Sequence, residues 1–404
     1  MIKTPRVAVL GAGIMGSSAA LFLARRGAAI TLFDSSNKPI SAASRWNEGK
    51  IHLGFLYSAD QSLKTARQIL PGGLAFKSLL ESLTGCSLSS ATTLTDDIYL
   101  CHRMSVVPPD AMQDYFQQVA RMVRQHPDAS GYLVDVSDCQ AEKLTSDELG
   151  SISDSRDIVA GFRIPERSVS TTWIADRVID ALSAEERIEQ HMSTRVTAVR
   201  PQIANEVDGN WLVQSPNGIH GPYDFIINSL WEGRIAIDIT AGLTPVGNWS
   251  NRFRLSLFLR TTEPVDVPSA VIAVGPFGDI KNYNNRDFYL SWYPKGLILE
   301  STAVLPPPPL LLDESHTQEI CCSILEKLEE LLPWASRIGE RIERMTLEGG
   351  WVFAAGQGAL SDPKSTLHRR SDFGILRLGS YISVDTGKYS TAPWLARKIA
   401  DSII

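Results

Sequence analysis

The chain has 404 residues, 44% of them hydrophobic, 21% charged and 8% aromatic, a balance that excludes disordered, collagen-like and coiled-coil classes. Lys plus Arg number 39 against 45 for Asp plus Glu, and the formal net charge of −6 has the wrong sign for a nucleic-acid or anionic-membrane binder. At roughly 150 residues per domain, the length predicts two or three folding units, each able to bury its own core.

In chain order, residues 6–10 read as a strand, 14–26 as a helix stopped by Gly27, and 29–33 as a second strand, a βαβ opening. The uncharged stretch 7–24 contains Gly11, Gly13, Gly16, Ser17 and Ser18, too polar for a spanning helix, and no stop-transfer pattern follows. A helix is predicted over 171–182, with Ser170 as N-cap and Ile174, Val178 and Leu182 on one face. Strand-like segments follow at 194–199, 211–214 and 225–227, and then at 253–259, 270–274 and 288–292 with little helix between them, as in an antiparallel sheet. Pro306 to Pro309 form an extended connector, after which Ile320, Ile324, Leu328 and Leu331 recur at helical spacing.

The expected fold class is α/β. A Rossmann-like nucleotide domain with a mostly parallel sheet is assembled from 1–80, 151–244 and 336–404, and a β-rich substrate domain is inserted as 81–150 and 245–335. The five cysteines, Cys86, Cys101, Cys139, Cys321 and Cys322, show neither CxxC spacing nor a nearby histidine pair. Neither a disulfide framework nor a metal site is expected, and a reducing, cytoplasmic location is.

The strongest chemical signal is Gly11-Ala12-Gly13-Ile14-Met15-Gly16, a GxGxxG between a strand and a helix. Its first glycine makes the turn, its second admits a pyrophosphate and its third lets helix and strand pack closely, while the helix N-terminus offers free N–H groups. Asp34 ends the second strand 18 positions past Gly16, where a carboxylate accepts from an adenosine ribose, and Ser35 follows it. The polar, glycine-punctuated run from Ser35 to Gly54 is suited to wrapping an extended cofactor.

That run resembles the D-amino-acid-oxidase-like family of FAD-dependent oxidoreductases, whose Ser-x-x-Asn-x-Gly pattern is matched by Ser44, Asn47 and Gly49. The resemblance implies FAD as cofactor, with Gly11, Gly13, Ile14, Met15, Gly16, Asp34, Ser35, Ser44, Arg45, Asn47 and Gly49 around it. It also assigns Val196 to the adenine, and Gly387, Lys388 and Tyr389 to the flavin pyrimidine edge, where Lys388 replaces a more usual glycine. Ser229-Leu230-Trp231 stands where the family usually has a small Ala-Gly pair.

Three residues are candidates for catalysis. Lys388, at the start of a terminal helix, can stabilise negative charge at N1 and C2=O of a reduced flavin. His52 follows the Ser-x-x-Asn-x-Gly pattern and is expected beside the isoalloxazine. Tyr293 shares a strand face with Tyr289 and Ser291 and can hold a substrate oxyanion, while Arg254 and Arg45 either clamp a carboxylate or pair with an acid or a cofactor phosphate. Trp231, Trp351, His368 and Arg370 fall in segments with plausible access to the site. The resemblance implies oxidation of a small amine or amino-acid-like substrate by hydride transfer to flavin N5, with oxygen or another acceptor completing the cycle. Oxidation of a 2-hydroxy acid and a flavin-binding subunit without turnover of its own are the alternatives. The implied partner is a small molecule, with no nucleic acid, no transmembrane segment and no particular oligomeric state.

Overall fold

The glycine-rich turn leaves the middle of a six-stranded sheet ordered Gly374–Leu378, Tyr381–Asp385, Phe225–Asn228, Arg6–Leu10, Ala29–Phe33 and Ile188–His191. The structure is a computed structural model and describes residues 4–203 and 206–404. All neighbours in this sheet run parallel except the first pair. The predicted strands at 6–10 and 29–33 occur with those bounds. The first helix, Ile14–Ala24, stops two residues before the predicted end because Arg25 already caps it. All 11 of its residues are buried, since it packs against the sheet and against the helices Ala392–Asp401, Lys64–Thr84 and Thr171–Ser183.

Lys64–Thr84 is a 21-residue helix that sequence reading assigned to no element, because Pro71, Gly72 and Gly73 interrupt its pattern. Its buried residues Ile69, Leu70, Leu74, Phe76, Leu80 and Leu83 nevertheless keep helical spacing. Gly73 has a packing reason. A Cβ there would lie 2.1 Å from the His52 carbonyl oxygen, so only glycine lets this helix press against the segment that carries His52. The helix Thr171–Ser183 forms as predicted, and its Ser170 side chain accepts from Trp173 N–H.

A second sheet runs Leu297–Ser301, Trp249–Thr261, Asp287–Trp292, Gly278–Asn282, Ala270–Ala273, Asp97–His102, Ile158–Ile164 and Glu142–Lys143, with Ile342–Ala355 on the other edge of Trp249–Thr261. It is antiparallel apart from Asp97–His102 beside Ala270–Ala273. Ile158–Ile164 and Ile342–Ala355 are bonded into this sheet, so the change of sheet does not coincide with the sequence boundaries at 151 and 336. Helix Glu314–Leu331 covers one face, with Ile324, Leu328 and Leu331 packed on Leu257, Leu259, Phe288 and Leu290. Alternation along Asp287–Trp292 sends Leu290 into this core and leaves Tyr289 and Ser291 on the opposite side. A separate three-stranded sheet contains Ala198–Pro201, Trp211–Ser215 and Gly218–Tyr223. The predicted strand at 194–199 is ordered as strand only from Ala198, because Thr194 N–H instead bonds the Asp34 carbonyl at 2.7 Å.

Between the sheets lies a buried ionic cluster. Lys50 Nζ bonds Asp97 and, at 2.9 Å, the Tyr99 hydroxyl. Lys281 Nζ reaches Asp97 Oδ2 at 2.7 Å, and Tyr99 donates to Glu166. Glu166 Oε1 also accepts from Leu53 N–H at 2.6 Å and Gly54 N–H at 3.2 Å. Two ammonium groups therefore face two carboxylates, and all four residues are buried. Burial works against the Asp97 carboxylate, but Lys281 and Lys50 outweigh it and hold Asp97 below the ordinary carboxylate range. The cluster fixes both sides of His52, through Lys50 before it and the Leu53 amide after it. Among the described residues no helix is long and apolar enough to cross a membrane.

Candidate active site

A cavity of about 620 Å3 runs across the C-terminal ends of the parallel strands, the position at which open α/β sheets bind ligands. At one end it is lined by Asp34, Ser35 and residues 194–197, in the middle by residues 11–15 and Ser44, and at the other end by Asn47, His52 and residues 386–389.

The residues in the middle fit the pyrophosphate expected from the sequence. Gly13, Ile14 and Met15 present the first turn of the buried helix to the cavity. Ser44 Oγ accepts from Ile14 N–H at 3.0 Å and ties the wrapping segment to that turn. Gly16 does not line the cavity. A Cβ on it would stand 1.8 Å from the Gly11 carbonyl oxygen, which is the packing role expected of the third glycine. Asp34 accepts from Ala12 N–H at 2.7 Å and Ser36 N–H at 2.8 Å. A carboxylate has about four acceptor sites, so two remain for ribose hydroxyls. Val196 lines the same end. Glu232, which sequence reading did not single out, lies there too, and burial followed by the charge of Asp34 raises its carboxyl to about 7.

Other expected contacts are structural. Arg45 lines neither cavity. Its guanidinium pairs with Asp176, an accessible acid on the neighbouring helix, at 2.9 Å and lies over the Trp46 ring. Asn47 lines the cavity but spends its amide on the loop, donating to the Ala43 carbonyl at 2.8 Å and accepting from Gly49 N–H at 2.9 Å. Gly49 is off the cavity and accepts from Val169 N–H at 2.9 Å. At Ser229-Leu230-Trp231, the Ser229 hydroxyl donates to the Leu10 carbonyl at 2.8 Å. Trp231 takes a φ of +55° and is held by its indole N–H on the Trp351 carbonyl at 2.7 Å; both tryptophans line the cavity.

His52 is buried, its Nδ1 has no hydrogen-bond partner, and its ring lies 5.7 Å from that of Tyr57. Burial, then the charges of Lys388 and Lys50, push its pKa well below the ordinary histidine value. At neutral pH it offers a hydrogen-bonding edge but no charge. Gly387 donates its N–H to Asp385 at 2.8 Å, and the buried Tyr389 hydroxyl is unpartnered. The terminal α-helix begins only at Ala392, after a 3-10 turn at Tyr389–Thr391, so Lys388 precedes it rather than opening it. Lys388 is also not a permanent cation. Burial and the neighbouring Arg370 lower its pKa to about 7, against the opposing pull of Glu48.

A second cavity of about 200 Å3 shares Glu48, Arg254, Tyr289, Arg370 and Lys388 with the first and is further lined by Arg252, Asp279, Tyr293 and His368. Arg252 donates to the Tyr293 hydroxyl at 3.0 Å, and the Arg254 guanidinium lies 4.5 Å from the centre of the Tyr293 ring. Glu48 stays ionised. Burial would raise its pKa, but the charge of Lys388, a backbone hydrogen bond and Arg254 together lower it. Arg252 and Glu48 escaped the sequence reading. Period-two spacing from Arg254 along the same strand pointed to Arg252, whereas Glu48 lay inside the Ser-x-x-Asn-x-Gly run with no signal of its own.

Compared with known proteins, the chain matches the family model described as FAD dependent oxidoreductase, DAO, over residues 6–352. It is similar to the solved structure of glycine oxidase from Geobacillus kaustophilus, at 15% identity over 98% of this chain and 94% of that one, with a TM-score of 0.67. Iminodiacetate oxidase from Chelativorans sp. BNC1 gives 15% identity, coverage of 98% and 94%, and a TM-score of 0.63. L-alpha-glycerophosphate oxidase from Mycoplasma pneumoniae, solved with FAD bound, gives 14%, 98%, 94% and 0.60. At these identities the likeness is one of fold. No match was found among curated proteins.

Proposed function

Because the chain belongs to the DAO family of FAD-dependent oxidoreductases, we propose that it oxidises a small amino-acid-like substrate at the carbon bearing the amine. The observation that carries this reading is the second cavity, which joins the flavin end of the first and presents Arg252, Arg254 and Tyr293 as a wall for a carboxylate. Two of the similar structures are oxidases named for glycine and iminodiacetate, which are nitrogen-bearing acids.

FAD, when bound, supplies the electron-pair acceptor, taking hydride at N5 from the donor carbon. The Gly13 and Met15 amides, beside the Ser44 hydroxyl that takes the Ile14 N–H, would hold the cofactor's pyrophosphate, and the Asp34 carboxylate its ribose. Arg252 and Arg254 orient the substrate acid and so fix which C–H faces the first cavity. Lys388 lines both cavities with a pKa of about 7, and in its free-base form it accepts the proton released from the donor nitrogen. Hydride and proton leave together as two electrons and two hydrogens, and the substrate is left with a C=N bond.

The test is an anaerobic screen of amino acids, carboxylate-free amines and 2-hydroxy acids, followed as loss of oxidised flavin absorbance. Amino acids are expected to bleach the flavin. Equal bleaching by the amines lacking a carboxylate, or bleaching by hydroxy acids alone, overturns the reading. For the cofactor, Asp34→Ala removes charge-assisted hydrogen bonds worth roughly 1.5 to 3 kcal/mol each. FAD affinity measured by equilibrium dialysis is expected to fall tenfold or more, and unchanged affinity removes Asp34 from the ribose site.

A further inference from the structure

The second cavity holds more positive charge than one carboxylate can use. Arg252, Arg254, Arg370 and Lys388 all line it, and among the described residues none of the four has a carboxylate within ion-pair distance. Arg252 is only 5% exposed, and its Nε and that of Arg254 are buried without a hydrogen-bond partner. Arg370 spends one nitrogen on the carbonyls of Phe353 and Gly387 at 3.0 and 3.5 Å, and the Asp385 charge reaches it only from beyond ion-pair distance. The cavity's two carboxylates do not neutralise this set. Asp279 is engaged by Ser291 and faces the Lys281 charge, which leaves Glu48, shared between Lys388 and Arg254.

Three guanidinium groups and Lys388 thus converge on a small, largely desolvated space with Glu48 and, from beyond ion-pair distance, Asp385 set against them, an arrangement that is costly unless a ligand supplies further negative charge. The cofactor does not. Its phosphates belong with residues 13–15 in the middle of the long cavity, and neither the helix turn nor Ser44 lines the second cavity.

We infer that the substrate carries two acidic groups, so that its class is a compact amino acid with a second carboxylate or a phosphate-type group in its side chain. The inference rests on the amino-acid reading above. One carboxylate takes a single guanidinium in a bidentate pair, and the second acidic group answers the remaining two. The same charges explain the low pKa of Lys388, to which Arg370, Arg252 and Arg254 all contribute after burial. A dianion in the cavity opposes that shift.

The test uses redox-inert probes on the flavin-loaded enzyme, so that binding is read without turnover. Glutarate, 3-phosphonopropionate and butyrate are titrated calorimetrically. At least one of the two diacids is expected to bind tenfold or more tightly than butyrate, and which of them binds better distinguishes a second carboxylate from a phosphate-type group. In Arg252→Gln the ratio of diacid to monoacid affinity is expected to drop at least fivefold with FAD content unchanged. Arg254→Gln, at a partly exposed position, serves if that variant does not accumulate. Equal binding of butyrate and both diacids overturns the second acidic group and leaves the amino-acid reading standing. If neither butyrate nor the diacids bind, the carboxylate wall itself is wrong and both fall. An affinity ratio unchanged in the variants also overturns the inference.

Discussion

Replacing Lys388 with methionine lowers the two-electron midpoint potential of the bound flavin, and the difference from wild type is largest below pH 7. The Lys388 ammonium is formed below its pKa of about 7 and lost above it. Below that pH the enzyme carries the charge in both oxidation states, so the reduced cofactor is favoured by its full electrostatic effect. Above it, reduction must also bring a proton to Lys388, and the advantage shrinks by about 30 mV per pH unit for a two-electron couple. A unit charge at about 4 Å is worth up to roughly 4 kcal/mol at an effective dielectric near 20, before desolvation is subtracted. A third of that still shifts the potential by about 30 mV. The measurement is a spectroelectrochemical titration of both proteins at pH 6 and pH 8.5. Equal potentials at pH 6 would mean that Lys388 does not face the cofactor's electron-accepting edge. A difference that stays constant between the two pH values would mean that its pKa is not near 7.

Asp97→Ala is expected to be the most damaging single change to stability. It removes the carboxylate that both Lys50 and Lys281 contact, leaving Glu166 within ion-pair distance of Lys50 and only the more distant Asp279 charge facing Lys281. Breaking a buried ion pair by deleting one partner costs about 3 to 5 kcal/mol, a large share of the roughly 5 to 15 kcal/mol that keeps a domain folded. Urea denaturation of holoenzyme and variant, followed by far-ultraviolet circular dichroism, measures the loss. A destabilisation under about 1 kcal/mol would show that water or a proton compensates the site. The pH dependence has a definite sign. Asp97 is held below its unfolded value, so its contribution is present above the ordinary carboxylate pKa of about 4 and disappears as pH falls through the folded value.

How much of this was legible in the sequence depended on whether a residue's role was local. The turn at Gly11 to Gly16, the strand ending before Asp34 and the N-cap at Ser170 are set by neighbours within a few positions, and they appear where the sequence places them. Lys64–Thr84 was hidden because its glycines, which usually break helices, are there for close neighbours distant in sequence, Gly73 for the His52 carbonyl and Gly72 for Thr391. That Arg45 pairs with Asp176 in particular was not legible, because that partner lies 131 positions away. Lys388 was read as a helix-opening cation, whereas its titration is governed by burial and by Arg370 and Arg252, which lie on other segments. The cation-rich wall was half visible, in Arg254 and Tyr293. Arg370 was expected near the site but without a role, because no local spacing links residues 254 and 370.

The order of strands in the parallel sheet also bears on how the enzyme is made. Arg6–Leu10 is bonded to Phe225–Asn228, which is bonded in turn to Tyr381–Asp385. During synthesis the turn at residues 11–16 leaves the ribosome about 370 residues ahead of the strand that completes its sheet and of residues 386–389 at the far end of the cavity. At 5 to 20 residues per second that is a delay of roughly 20 to 70 seconds, through which the apolar first helix waits for the Ala392–Asp401 helix that covers it. Cofactor capture is therefore a late event in the life of the nascent chain. Shortage of FAD should show up as chaperone-bound, protease-sensitive full-length protein rather than as stalled fragments.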